Sequence, residues 1–268
     1  MARLPALQIQ RSPRKSIRWT IELMLNLAVH RINTRYKETL LGFGWIFLQP
    51  VALTGIFHYI RKVSDIPTGN VPYALFAAVG MVAWSFTSLY ASQSVIAVSG
   101  VTNILKRVYI PKIIFPVSVL ISAVVDLCVM TLLLVGLFIY YHYPISWTAI
   151  WLPAILFVHI LFLIGLGCLI SLTNVFLKDV GQAIPQLLWL WFFACPVFYP
   201  QSMVPEDFNL LSRWNPMAGF IESYRSVLLL GQAPPLYLMG PAILVSVIMF
   251  IAGVSLFGKL EGDLVDLL

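Results

Sequence analysis

The feature that most constrains this chain is a stretch of 22 residues between Glu38 and Arg61 without a single charge. It is the first of several apolar runs. A helix rises ~1.5 Å per residue, so ~20 apolar residues cross a ~30 Å hydrocarbon core. Runs of that kind are expected at 39–60, 73–99, 113–141, 148–177, 183–198 and 236–258. Only 10% of the 268 residues are charged and 60% are hydrophobic, whereas a soluble domain carries roughly a quarter charged residues. The chain is therefore expected to be an all-α integral membrane protein with six transmembrane helices in one domain, 1–268.

The basic residues are sorted. One side of the expected topology holds thirteen Lys and Arg: eight before residue 38, three in the 100–112 loop, Lys178 and Lys259. The other holds Arg61, Lys62, Arg213 and Arg225. The positive-inside bias then puts both termini in the cytoplasm. With the positives accounted for at membrane-flanking segments, the excess of basic residues implies no nucleic-acid partner. The first residues are basic and Pro-containing and do not read as a secretory signal peptide.

From Ser16 to Lys37, apolar Ile17, Ile21, Met24, Ala28 and Ile32 share one stripe, with Arg18, Glu22, Asn26, His30, Asn33 and Lys37 on another. That pattern predicts an amphipathic helix flat on the cytoplasmic membrane surface, completing a 1–38 tail and interfacial segment. Residues 199–235 do not fit a simple crossing. They carry Pro200, Pro205, Pro216 and Pro234-Pro235, and the apolar stretch Met217 to Leu230 is too short to span. A re-entrant outer segment of one or two short helices is expected, bordering a cavity or a subunit contact.

Three motifs carry a resemblance. The run Arg35-Tyr36-Lys37, Leu41-Gly42, Trp45, Leu48 and Pro50 resembles the start of the permease subunits of type-2 ABC exporters. These exporters move bacterial surface polysaccharides such as O antigens, capsules and teichoic acids. On physical grounds alone, Arg35, Tyr36 and Lys37 read as an interfacial anchor and Pro50 as a bend. Asn103, Leu105, Lys106, Arg107, Tyr109 and Pro111 resemble the coupling helix by which such permeases sit on their ATPase. Trp214-Asn215-Pro216, with Tyr224-Arg225, resembles the family's short outer helices. The i,i+3 pair Glu222 and Arg225 is placed to bond within the chain or across a dimer seam. Trp214, Asn215, Pro216, Glu222 and Arg225 are the gate candidates. The first and fifth runs look like the family's channel-lining helices. Trp45, Phe47, Trp189, Trp191, Phe192, Phe193 and Tyr199 are the channel candidates, because aromatic rings can stack on the apolar C–H faces of sugars.

Asp126 lies mid-span, where a carboxylate costs ~2.5–3.5 kcal/mol to insert. With no His or Lys in its span, a structural hydrogen bond or a channel-edge role is expected rather than a proton relay. Cys128, Cys168 and Cys195 form no CxxC pair and read as small apolar residues. The four histidines lack metal-ligand spacing, so no metal is expected. There is no Walker A sequence, so no cofactor is expected on this chain.

The resemblance implies a permease, not an enzyme, in the bacterial inner membrane. It implies a homodimer with a channel at the interface and two copies of a cytoplasmic ATPase that supply ATP and Mg. The implied cargo is a polyprenyl-diphosphate-linked polysaccharide, with membrane lipids around it. The rival readings are a type-2 exporter of drugs or lipids and a polytopic membrane enzyme or structural membrane protein.

Overall fold

The computed structural model describes residues 17–37, 39–64, 67–101 and 110–260, and every regular element among them is helical. The long helices are α1 (Ile17–Tyr36), α2 (Gly44–Ser64), α3 (Tyr73–Ser94), α4 (Ile114–Tyr140), α5 (Leu152–Phe176, led in by a 3-10 turn at Trp147–Trp151), α6 (Val180–Phe193), α7 (Glu206–Trp214), α8 (Pro216–Arg225) and α9 (Leu236–Leu260).

Among the described residues, four helical segments are long and apolar enough to cross a bilayer: Tyr73–Ser94, Ile114–Tyr140, Trp147–Phe176 and Leu236–Leu260. The first and fifth expected runs turn out shorter. In the first, residues 39–43 form turns in which Gly42 adopts φ +50°, and the helix starts only at Gly44. Its apolar part is Gly44–Phe57. In the fifth, α6 starts early, at Val180, and stops at Phe193 rather than running to 198. Its 14 residues reach only ~21 Å at ~1.5 Å per residue.

α3 is the hub. It packs against α2, α4, α5, α6 and α8, and is buried along most of its length. Side chains on all its faces thus meet protein, including Tyr73, Trp84, Phe86 and Tyr90. α5 and α9 form the tightest pair. A Cβ on Gly165 would come within 2.6 Å of the Phe250 nitrogen, so the backbones approach as only small residues permit.

α1 packs along α4. Three residues of the stripe expected to lie against the membrane, Met24, Ala28 and Ile32, are turned into the protein. Trp19, Leu23 and Leu27 join them. Ile21 of the stripe is 51% exposed, as are Leu25 and Val29 to similar degree.

Residues 199–235 contain a 3-10 turn, then α7 and α8. α8 continues through a π turn at Ser226–Leu230 and ends at Gly231, whose φ of +64° closes it. The expected helical stretch from Met217 to Leu230 is present.

Candidate functional site

α2 and α6 both rest on α3 and leave a groove between them, with α3 as its floor. Ser85, Ser88 and Ser92 of α3 are spaced i, i+3 and i+7, which puts them on one helical face. That face, Gln49 of α2 and half-exposed Trp45 line a recess of about 490 Å³. A second recess of about 170 Å³ shares Gln49, Ser88 and Ser92 with the first and is walled by Trp84, Trp189 and Phe192. A third, of about 700 Å³, begins at Ile60 and Trp191 and runs past Phe193 and Tyr199 to Trp214 and Asn215. The three follow one another along the α2–α6 side of the molecule. Its walls are largely apolar and aromatic, with the Gln49 amide on the α2 side, while the floor carries hydroxyls.

The channel candidates therefore divide. Trp45, Trp189, Trp191, Phe192, Phe193 and Tyr199 all line this path, although Phe192 is buried with its ring 5.4 Å from Trp84. Phe47 lines none of the three recesses. Among the gate candidates, Trp214, Asn215 and Pro216 line the third recess, whereas Glu222 and Arg225 do not.

Arg225 is a structural staple. It is fully buried, and its Nε donates to the Phe76 carbonyl at 3.3 Å. Its Nη1 donates to the carbonyls of Pro196 at 2.7 Å and Tyr199 at 3.3 Å, and to Glu222 Oε1 at 3.0 Å. Nη2 donates to the Val197 carbonyl, and the guanidinium carbon sits 3.6 Å above the Phe76 ring. Gly80 makes room for this arrangement, since a Cβ there would lie 2.6 Å from the Val197 oxygen. The carbonyls of the bend that follows α6, at Pro196, Val197 and Tyr199, are held by this one side chain. Carbonyls of the last turn of α6 find other donors: Leu190 and Phe192 accept from the amides of Ala194 and Cys195, and Phe193 accepts from the Tyr199 hydroxyl at 3.3 Å.

Asn215 ties the other edge. Its Oδ1 caps α8 by accepting from the Met217 amide at 3.1 Å, and also accepts from Trp191 Nε1 at 3.1 Å. Its Nδ2 donates to the Ala194 carbonyl at 3.3 Å.

At the opposite end of the path, α1 meets α4 through a buried ion pair. Arg35 Nη1 lies 2.6 Å from Asp126 Oδ2, and the Tyr36 hydroxyl donates to Asp126 Oδ1 at 3.1 Å. Arg35 Nη2 donates to Gln93 Oε1 of α3. Burial pushes the Tyr36 phenol above its ordinary pKa, so it stays a donor. Lys37, the third residue of the anchor, is exposed. Of the coupling residues, Asn103, Leu105, Lys106, Arg107 and Tyr109 lie outside the described residues. Pro111 is exposed just before α4.

Sequence reasoning passed over several polar residues. The Ser85, Ser88 and Ser92 stripe was visible as a helical period. The roles of Gln49 and Gln93 were not, because each depends on partners in distant helices. Buried His159 in α5 bonds through Nε2 to Thr87 Oγ1 at 2.7 Å and stacks on Phe220 at 4.3 Å. Among the described residues no His, Cys, Asp or Glu cluster could hold a metal.

Residues 24–229 match the family model described as ABC-2 type transporter. An O-antigen export system permease protein RfbA of Klebsiella pneumoniae is 26% identical over 254 residues, 93% of this chain and 96% of the relative. The RfbA protein of Myxococcus xanthus is 27% identical, over 88% of this chain and 91% of its own. The polysialic acid transport protein KpsM of Escherichia coli is 22% identical, over 76% and 80%.

Proposed function

Because the chain belongs to the ABC-2 type transporter family, we propose that it is the permease half of an ATP-driven exporter of a polyprenyl-diphosphate-linked polysaccharide. The observation that carries this reading is the line of three recesses from Arg35 to Trp214 along one exposed side. A polymer longer than the bilayer is thick cannot be enclosed in a midplane pocket. It needs a continuous track, and a track open on one side needs a cover. A second copy related by two-fold symmetry supplies that cover and buries the exposed apolar side chains of α2 and α6. Tryptophan rings then meet the C–H faces of sugars, while Ser85, Ser88, Ser92 and Gln49 exchange hydrogen bonds with sugar hydroxyls one after another.

In this reading α2 and α6 complete six crossings, with both termini in the cytoplasm of a cell's inner membrane. Their short apolar lengths are tolerated because they border the track rather than lipid on all sides. The 1–268 chain is one permease domain, with α1 at the cytoplasmic interface. Two copies of a separate ATPase bind beneath, engaging the 103–112 segment and bringing the ATP and Mg that this chain does not hold. Their closure moves the helices as rigid bodies, and the third recess, bounded by Trp214, Asn215 and Pro216, acts as the outer gate. O-antigen and polysialic acid, the cargoes that the relatives' names give, are the glycan class this supports.

The test is where glycan collects when the gene is deleted. Lipid-linked polysaccharide accumulates on the cytoplasmic face and surface polysaccharide disappears, and both are restored by the wild-type chain together with its ATPase. Normal surface glycan in the deletion strain overturns the reading.

A further inference from the structure

Beneath α1, on the side of Arg35 away from the translocation track, lies a recess of about 440 Å³. Its polar lining is His30, Arg31, Thr34 and Arg35 from α1 and Gln93 from α3. That set is rich in donors and poor in acceptors. Arg31 Nη2 makes one long bond of 3.4 Å to the Ala97 carbonyl, and its Nε is buried with no acceptor. Gln93 spends its Oε1 on Arg35 and leaves Nε2 buried and also without an acceptor. The Thr34 hydroxyl already donates to the His30 carbonyl at 2.9 Å.

The charges tell the same story. Asp126 is paired with Arg35, and among the described residues no carboxylate pairs with Arg31. Burial, and then the Arg35 charge, both hold the Arg31 guanidinium below its ordinary pKa. A partly buried cation facing a second cation, with two orphaned N–H donors at hand, is an expensive arrangement unless an anion completes it. A cationic or purely apolar ligand leaves the deficit untouched, and a neutral sugar leaves the charge. A phosphate ester supplies both negative charge and several acceptor oxygens, and guanidinium groups suit it geometrically.

We infer that the Arg31–Gln93 recess is a binding site for a lipid-borne phosphate or diphosphate at the inner face of the membrane. The phosphate has two sources: the headgroup of a bilayer phospholipid, or the diphosphate of the lipid-linked cargo. Only the second rests on the exporter reading above.

The test titrates full-length protein, stripped of lipid in detergent, with four probes: phosphatidylglycerol, a polyprenyl diphosphate, and the phosphate-free diacylglycerol and polyprenol. Wild type binds at least one phosphate-bearing lipid ten-fold or more tighter than its phosphate-free counterpart. Arg31→Gln abolishes that preference while leaving the lipid-free melting temperature unchanged, since Arg31 holds no ion pair to lose. Lys259→Gln, which removes a charge from the exposed end of α9, keeps the preference. Should Arg31→Gln fail to accumulate, Arg31→Lys carries the same comparison, keeping the charge without the fork and losing several-fold. A preference for the diphosphate over phosphatidylglycerol assigns the site to cargo, and the reverse or equality assigns it to bilayer lipid. No discrimination by wild type, an unchanged Arg31→Gln, or an equal loss in Lys259→Gln overturns the proposal. The export assay is independent of all these outcomes, so failure of this site and failure of the exporter reading are distinguishable.

Discussion

Replacing Arg35 with methionine removes the cation that neutralises Asp126 across the junction of α1 and α4. Asp126 is 1% exposed and Arg35 25% exposed, so the two partners do not lose equally. In Arg35→Met, Asp126 keeps only the Tyr36 hydroxyl, and an unpaired buried charge costs about 3–5 kcal/mol. Protonation sets a ceiling, since neutralising an ordinary carboxyl at pH 7 costs about 4 kcal/mol, at about 1.4 kcal/mol per pH unit. In Asp126→Leu, Arg35 retains water, Gln93 and Tyr36, and the loss is about 1–2 kcal/mol. The double variant leaves no uncompensated charge and returns to within about 1 kcal/mol of wild type. Equilibrium unfolding in mixed micelles of increasing SDS fraction closes the cycle, with an expected coupling of at least about 3 kcal/mol. Additive single effects, with a coupling below about 0.5 kcal/mol, refute the claim that this pair fastens α1 to α4.

Arg225→Met strips donors from the carbonyls of Phe76, Pro196, Val197 and Tyr199 and a partner from Glu222, so it costs at least about 3 kcal/mol. Arg225→Lys does not rescue it, because one ammonium cannot reproduce the planar fork, and loss of a monodisperse chromatographic peak reads both. Gly165→Ala forces α5 and α9 apart and costs about 1–3 kcal/mol. Gly240→Ala, whose Cβ meets nothing within 4 Å, leaves the melting temperature where it was. Ser88→Leu fills the point shared by the first two recesses. Glycan export falls ten-fold or more while expression and melting stay unchanged.

Much of the helical layout was legible, because apolar length is a one-dimensional property. The Tyr73, Ile114, Trp147 and Leu236 segments could be bounded from charges and prolines alone, to within a few residues at most ends. Where the expected bounds slipped, a proline or a three-dimensional partner was responsible. α6 stops at Phe193 ahead of Pro196, which cannot donate to a continued helix, and the bend beyond it is held by Arg225, 28 residues beyond Val197. Asp126 showed itself as an anomaly in an apolar run, but Arg35 lies 91 residues earlier, and nothing in either segment marks the other. The covered face of α1 was legible only in part, for a related reason. Met24, Ala28 and Ile32 stand in the apolar stripe and are covered, but with Leu25 and Val29 on one side and Leu23 and Leu27 on the other, only α4 decides where the covered face ends. The aromatic residues of the groove were legible as a group. The serine stripe of its floor was visible as a helical period, but its role and that of Gln49 were not, since they acquire meaning only once α2 lies beside α3.

The central claim is that glycan travels along the groove floored by α3. Ser88→Cys in the groove and Ile248→Cys on the exposed face of α9 can be placed in a Cys128→Ser background, because Cys168 and Cys195 are buried. With the exporter stalled on a glycan too bulky to clear its outer end, the account predicts that Ser88→Cys is shielded from a thiol reagent. Ile248→Cys should react as it does in the empty protein. Equal labelling of Ser88→Cys with and without cargo, or shielding at Ile248→Cys instead, contradicts it.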